Sequence, residues 1–159
     1  MQELMQLITD SREQNPLIFA HVDGIEFLIE ALPIGDYGAK LNGVLVKSVC
    51  ERKSIADLFS SFSSGYENEK SKIEKAKLLG FKYILAIEGT IFDVREGYQY
   101  QKDGEWHQSK KDGLSQCKQL MTMYSKGYFD IWWCKSRAEM SFMVIQYFQA
   151  VERILKQQS

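Results

Sequence analysis

Proline is nearly missing from this chain: Pro16 and Pro33 are the only two in 159 residues. With so little proline and no long polar tract, disorder does not dominate. Cysteine is sparse too. Cys50, Cys117 and Cys134 stand far apart, no CxxC pair occurs, and His21 and His107 are not spaced as zinc ligands. The odd count fits reduced thiols in a cytoplasm, with all three buried as small hydrophobes. No apolar run approaches the ~18 residues of a membrane span. The start, Met1-Gln2-Glu3-Leu4, lacks the basic and apolar regions of a signal peptide. A surplus of one charge is also lacking: 20 Lys+Arg stand against 21 Asp+Glu, a net charge of −1. Without a bulk basic surface, any contact with a polyanion has to come from a local site.

What is there is an ordinary globular composition, 45% hydrophobic and 26% charged, long enough for a single domain over residues 1–159. Short β-rich runs alternate with helical patterns, which predicts an α/β fold with a mixed central sheet flanked by helices. Leu7 to Thr9 reads as a strand running into Asp10. Asn15-Pro16 reads as a helix start for Leu17 to His21. Ile25 to Ile34 reads as a strand ending beside Gly35-Asp36-Tyr37. Asn42-Gly43 is a strong type I′ hairpin signal, and its second arm runs through Cys50 to Lys53. Ser54 caps a helix with apolar residues at Ile55, Leu58, Phe59 and Phe62; the serine-rich stretch 60–65 breaks it. A second helix follows from Glu67 to Leu79, stopped by Gly80. Phe81 to Ile87 is a buried strand. Residues 92–111 are polar, aromatic and turn-rich, with Asp103-Gly104 closing a projecting hairpin. A helix from Leu114 to Tyr124, a strand from Phe129 to Cys134 and a final helix opened by Ser136 complete the chain.

One segment carries chemistry. Side chains at i and i+2 of a strand point the same way, so Glu51 and Lys53 share a face and Arg52 takes the other. Asp36 lies across the Asn-Gly hairpin and can approach Glu51. A carboxylate on one arm and Glu-x-Lys on the next form the PD-(D/E)xK nuclease arrangement, in which oxygen ligands hold a hard cation at a scissile phosphate.

The surrounding residues narrow this. Asp10-Ser11-Arg12-Glu13, then Gly35-Asp36-Tyr37, then Glu51-Arg52-Lys53-Ser54-Ile55-Ala56-Asp57 reproduce in order the DxRE, GD and ERKxxxD motifs. Residues 8–89 resemble the nuclease domain of the XPF-type structure-specific endonuclease family. The resemblance implies a restriction-endonuclease-like fold and hydrolysis of DNA at flaps, branches or single-strand/double-strand junctions. It implies Asp36 and Glu51 as ligands of Mg²⁺ or Mn²⁺, with Asp10 at the same centre and Lys53 as the catalytic lysine. Arg12 and Arg52 match basic residues needed for cleavage, on phosphate, and Asp57 an acid orienting Lys53 or Arg52. Asp10, Asp36, Glu51 and Asp57 would then converge, and a divalent cation would relieve their repulsion. Glu13 reads equally as a local ion pair. No small-molecule cofactor is expected. The family's helix-hairpin-helix and helicase modules have no room in 159 residues, and Gly65-Tyr66 stands where relatives often carry Gly-Arg. Two other readings stay open: a non-cleaving DNA-binding or scaffolding partner, or a restriction or recombination nuclease. A cytoplasmic, nucleoid-associated place fits any of them.

Other features divide between structural and functional readings. Lys70, Lys72, Lys75 and Lys77 alternate with Glu67, Glu69 and Glu74; a solvated helix face explains them, and DNA backbone contact, with Lys70 foremost, is the alternative. Tyr98, Tyr100 and Trp106, with Lys102, Lys110 and Lys111, either pack the hairpin or stack on unpaired bases. In the last helix the stripe from Met140 to Leu155 is core or a two-fold interface. Phe142 and Ile145 lie off that stripe and favour a homodimer.

Overall fold

The computed structural model describes residues 4–109 and 111–158; Met1 to Glu3, Lys110 and Ser159 lie outside the described residues. Its elements run β1 (Met5–Asp10), β2 (Ile25–Glu30), β3 (Tyr37–Leu41), β4 (Val44–Leu45), β5 (Ser48–Ser54), α1 (Ile55–Ser61), α2 (Tyr66–Leu78), β6 (Lys82–Glu88), α3 (Ile91–Glu96), β7 (Gln99–Lys102), β8 (Glu105–Gln108), α4 (Gly113–Ser125), β9 (Asp130–Cys134) and α5 (Arg137–Gln157).

A mixed sheet ordered β2-β1-β3-β5-β6-β9 runs through the molecule, with β4 paired to β3. The β5–β6 and β6–β9 pairs are parallel, and parallel neighbours require crossovers; α1 and α2 supply the first, α3 to α4 the second. Strand alternation sorts the core into two layers. Cys50, Ile84 and Ala86 face Met140, Val144 and Phe148 of α5. Val49, Leu85 and Ile87 face Leu58 of α1, Ile73 of α2 and Leu120 of α4. Helices thus cover both faces of the sheet. None of the helices among the described residues is long and apolar enough to cross a membrane.

The Asn42-Gly43 turn forms with φ of 51° and 73°, the left-handed pair that a type I′ turn demands. Its second arm is broken: β4 ends at Leu45, and the chain resumes as β5 at Ser48. Ser54 caps α1, its side chain accepting from the Asp57 N–H.

Three expectations need correction. Leu17 to His21 is extended coil, not helix: Leu17 is buried and its N–H donates to the Tyr37 hydroxyl at 2.8 Å, while Phe19 stacks on Phe27 with ring centroids 5.3 Å apart. Tertiary contacts therefore claim the groups that a helix would use. The strand from Ile25 stops at Glu30, and Leu32 and Ile34 are buried from the coil beyond it. The stretch 92–111 is not all loop and hairpin. It starts with α3, held by a capping box in which Thr90 and Asp93 bond each other's backbone N–H. In α5, Ile145 belongs to the core, whereas Phe142 is 62% exposed; of the two off-stripe residues only Phe142 is available to a partner.

A candidate acidic active site

The end of β1, the residue before β3 and the middle of β5 are stitched at one level. The Asp36 N–H donates to Cys50 O at 2.8 Å, and the Asp10 N–H donates to Asp36 O at 2.7 Å. A carboxylate from each segment, Asp10, Asp36 and Glu51, thereby lines one cavity of about 360 Å³ together with Arg12, Lys72 and Lys75. Gly35 makes the close approach possible. It sits at φ +81°, and a Cβ there would fall 2.8 Å from Val49 Cβ, so a side chain would push Asp36 away from β5.

Each carboxylate has a different environment. One Asp36 oxygen accepts from the Arg52 N–H at 2.8 Å. Burial first, and the nearby charge of Glu51 second, push the Asp36 carboxyl up to about 7 against the partial relief of that hydrogen bond. Burial also raises Glu51, opposed by the ammonium groups of Lys53 and Lys72, whose Nζ atoms lie 3.7 and 3.6 Å from Glu51 Oε1. Asp10 goes the other way. Burial raises it, but the side chain of Arg12 and the backbone N–H groups of Leu32 and Arg12 outweigh that and hold it below the ordinary value. Both of its oxygens are engaged: Arg12 Nε at 3.0 Å and Nη2 at 3.1 Å, and the Leu32 N–H at 2.8 Å. Arg12 itself is 68% exposed.

Behind Glu51 lies a second, buried network. Lys53 Nζ donates to Ser61 Oγ at 2.7 Å and to Glu69 Oε2 at 3.4 Å. Glu69 is only 2% exposed, and its other oxygen accepts from the Tyr83 hydroxyl at 3.3 Å. Lys53 is thus clamped between two carboxylates, Glu51 on its own strand and Glu69 on α2.

The chain matches the ERCC4 domain over residues 9–146. It belongs to the ERCC4-domain family. XPF from Aeropyrum pernix shares its fold, with a TM-score of 0.62 at 14% identity over 96% of this chain and 67% of that one. XPF from Aeropyrum pernix in complex with DNA gives a TM-score of 0.60 at 13% identity, covering 93% of this chain and 65% of that one. This ERCC4 domain therefore spans about two thirds of those structures. Among curated proteins no significant match is found.

Within this ERCC4 domain the remaining motif residues are placed as follows. Arg52 points to the α5 face, opposite Glu51 and Lys53. Its Nη1 bonds Glu88 Oε1 at 2.9 Å, its Nη2 lies 3.4 Å from Glu13 Oε1, and its Nε is buried without a partner. It binds two carboxylates inside the protein instead of presenting itself to phosphate, and Glu13 is its ion-pair partner. Asp57 does not join the other acids. It is exposed in the first turn of α1 and does not line the cavity; Ser61, Glu69 and Glu51 orient Lys53 instead. No group of three His, Cys, Asp or Glu arranged to hold a metal occurs among the described residues, so the expected convergence of four acids reduces to Asp36 and Glu51 with Asp10 tied to Arg12.

The helix lysines also sort differently. Lys72 and Lys75 line the cavity, and Lys70 does not. Glu69, read from sequence as part of a solvated face, is buried. The signal was present: Glu69, Ile73 and Ala76 recur at i, i+4 and i+7, and a carboxylate on a buried stripe needs a cation. In the hairpin, cross-strand partners share a face. Tyr100 pairs with His107, and Trp106 with Gln101, so Trp106, 68% exposed, projects from the side opposite Tyr98 and Tyr100. The three aromatics do not form one stacking surface.

Proposed function

We propose that this ERCC4 domain is a metal-dependent DNA endonuclease that hydrolyses phosphodiester bonds at flaps, branches or single-strand/double-strand junctions. The observation that carries the reading is the shared cavity of Asp36 and Glu51, two part-buried or buried carboxylates whose protons are held more tightly by burial, with Lys72 and Lys75 on its rim. Two carboxylate donors fit a hard, oxygen-seeking cation such as Mg²⁺ or Mn²⁺, which is bound through one or two carboxylates and completes its shell with water and substrate phosphate. Asp36 and Glu51 would hold it; Asp10, in the same cavity, would stay with Arg12 and the Leu32 N–H. The bound cation lowers the pKa of water and offsets charge on the phosphate.

The chain's own residues do the rest. Lys53, held by Glu51, Glu69 and Ser61 just behind the cavity lining, serves as the catalytic lysine by steadying Glu51 and, through it, the attacking water. Arg12 and the rim lysines Lys72 and Lys75 draw the phosphate backbone in, which gives a net −1 chain its local cationic edge. Arg52 holds β5 against Glu13 and Glu88 so that Glu51 and Lys53 keep their places. The exposed Phe142, Ile154 and Leu155 of α5 support pairing of two copies, which sedimentation tests. A nuclease of this kind works where DNA is: in the cytoplasm, and at the nucleoid if the chain is prokaryotic or phage-derived.

The engaged oxygens of Asp10 favour one alternative, a non-cleaving DNA-binding partner of the same fold. Incubation with Mg²⁺ or Mn²⁺ and a panel of linear, single-stranded, flap, fork and four-way DNAs separates the two. Mapped cuts lost on Asp36→Asn support the enzyme; binding without cuts on every substrate overturns it.

A further inference from the structure

We propose that the cleft between the α1–α2 turn and the β7–β8 hairpin is a binding site for one unpaired nucleobase of a DNA strand. The choice of DNA rests on the nuclease reading; the site itself is separate from the acidic cavity. The cleft encloses about 630 Å³, inside the ~300–1,000 Å³ range of small-ligand sites. One wall is aromatic. Phe59 and Tyr98 meet edge-to-face with centroids 5.4 Å apart, and Tyr100 lies 6.0 Å from Tyr98 and is stacked on His107 at 5.5 Å. These rings are fixed by one another before any ligand arrives, so little side-chain freedom is lost on binding.

The facing wall is polar. Ser60 and Ser64 are exposed there, and a hydroxyl both donates and accepts, which suits the edge of any base. Lys111, also in the lining, donates to Phe62 O at 2.9 Å and to Gln119 Oε1, so its ammonium is a fixed positive charge beside the cleft. A planar π-face, a polar edge and a nearby phosphate are the three chemical features of one nucleotide, and the cleft offers a partner for each.

The two sites are joined through one short turn. Ser61 Oγ accepts from the Lys53 ammonium at 2.7 Å, while its neighbours Ser60, Ser63 and Ser64 line the cleft. A strand that leaves the acidic cavity over this turn would reach the aromatic wall. Trp106, on the other face of the hairpin, takes no part.

The test is made in EDTA and needs no cleavage. Binding of a duplex with a single-stranded tail is measured while one abasic residue is moved along the tail. The wild type is expected to lose roughly 5- to 100-fold affinity at one tail position and little at the others. 2-Aminopurine at that position changes its emission on binding. Tyr100→Ala flattens the scan, Tyr100→Phe and Trp106→Ala keep it, and Ser64→Trp, which fills the cleft from its exposed side, serves if Tyr100→Ala does not fold. A flat scan in the wild type, or a position-specific loss that survives both Tyr100→Ala and Ser64→Trp, overturns the proposal. A position-specific scan in a protein that never cuts with Mg²⁺ leaves the base site standing and removes the nuclease reading. Cutting with a flat scan does the reverse.

Discussion

Asp36→Asn should make the protein more stable while removing cleavage. An aspartate with an ordinary value of 3.8 is pushed up to about 7 in the fold. Between about pH 4 and 7 the folded protein therefore keeps a proton that the unfolded chain has released. By linkage the folded state binds more protons in that window, so Asp36 reduces stability as pH rises through it, and its full penalty stands above about 7. Taken whole, the interval is worth about 4 kcal/mol at 1.36 kcal/mol per pH unit. Asp36 is half-buried, and solvent screening brings the realistic figure to ~1–2 kcal/mol. Asparagine keeps the oxygen that accepts from the Arg52 N–H at 2.8 Å and carries no charge to repel Glu51. In EDTA at pH 8 the variant should exceed the wild type by ~1–2 kcal/mol, roughly 2–8 °C in Tm for a domain of this size; at pH 4 the two should coincide. Added Mg²⁺ should then raise the wild-type Tm and leave the variant unchanged, since only a ligand bound to the folded state stabilises it. Urea or thermal unfolding at the two pH values measures this. A variant no more stable than wild type at pH 8, or equally stabilised at both pH values, refutes the electrostatic argument.

Other outcomes follow from the same contacts. Lys53→Met leaves Glu51 and Glu69 without the ammonium between them and should cost about 3–5 kcal/mol in urea unfolding as well as abolishing cleavage; adding Glu69→Gln should recover part of the stability and none of the cleavage. Gly35→Ala puts a Cβ 2.8 Å from Val49 at φ +81° and should lower stability by roughly 2 kcal/mol and reduce metal affinity, read by titration calorimetry with Mn²⁺. Thr90→Ala breaks the α3 capping box and should cost about 1 kcal/mol, with faster hydrogen exchange confined to α3 and the hairpin base.

Much of the site could be read in the chain because it depends on short-range geometry. The two-residue period of β5 separates Glu51 and Lys53 from Arg52, and the Asn42-Gly43 turn brings the preceding strand back beside them. What could not be read depends on packing between distant segments. The burial of Glu69 follows from α2 lying over β6, where Tyr83 meets it, and the helical signal at Leu17 yields to contacts with Tyr37 and Phe27. Helix α3 hid in a polar stretch because its cap uses Thr90 and Asp93 where a capping box more often carries Glu or Gln. Trp106 turned away because register, not composition, decides which hairpin residues share a side.

The β7–β8 ribbon forms a sheet of its own, and its two ends close on each other, with the Ser109 N–H donating to Tyr98 O at 2.8 Å. The helices before and after it, α3 and α4, pack together directly. The ribbon is therefore a cassette: a different loop could be spliced between Gly97 and Ser109 without disturbing the strands that carry Asp36 and Glu51. On the reading proposed above, exchanging about a dozen residues would retune which DNA is held and leave the acidic cavity in place.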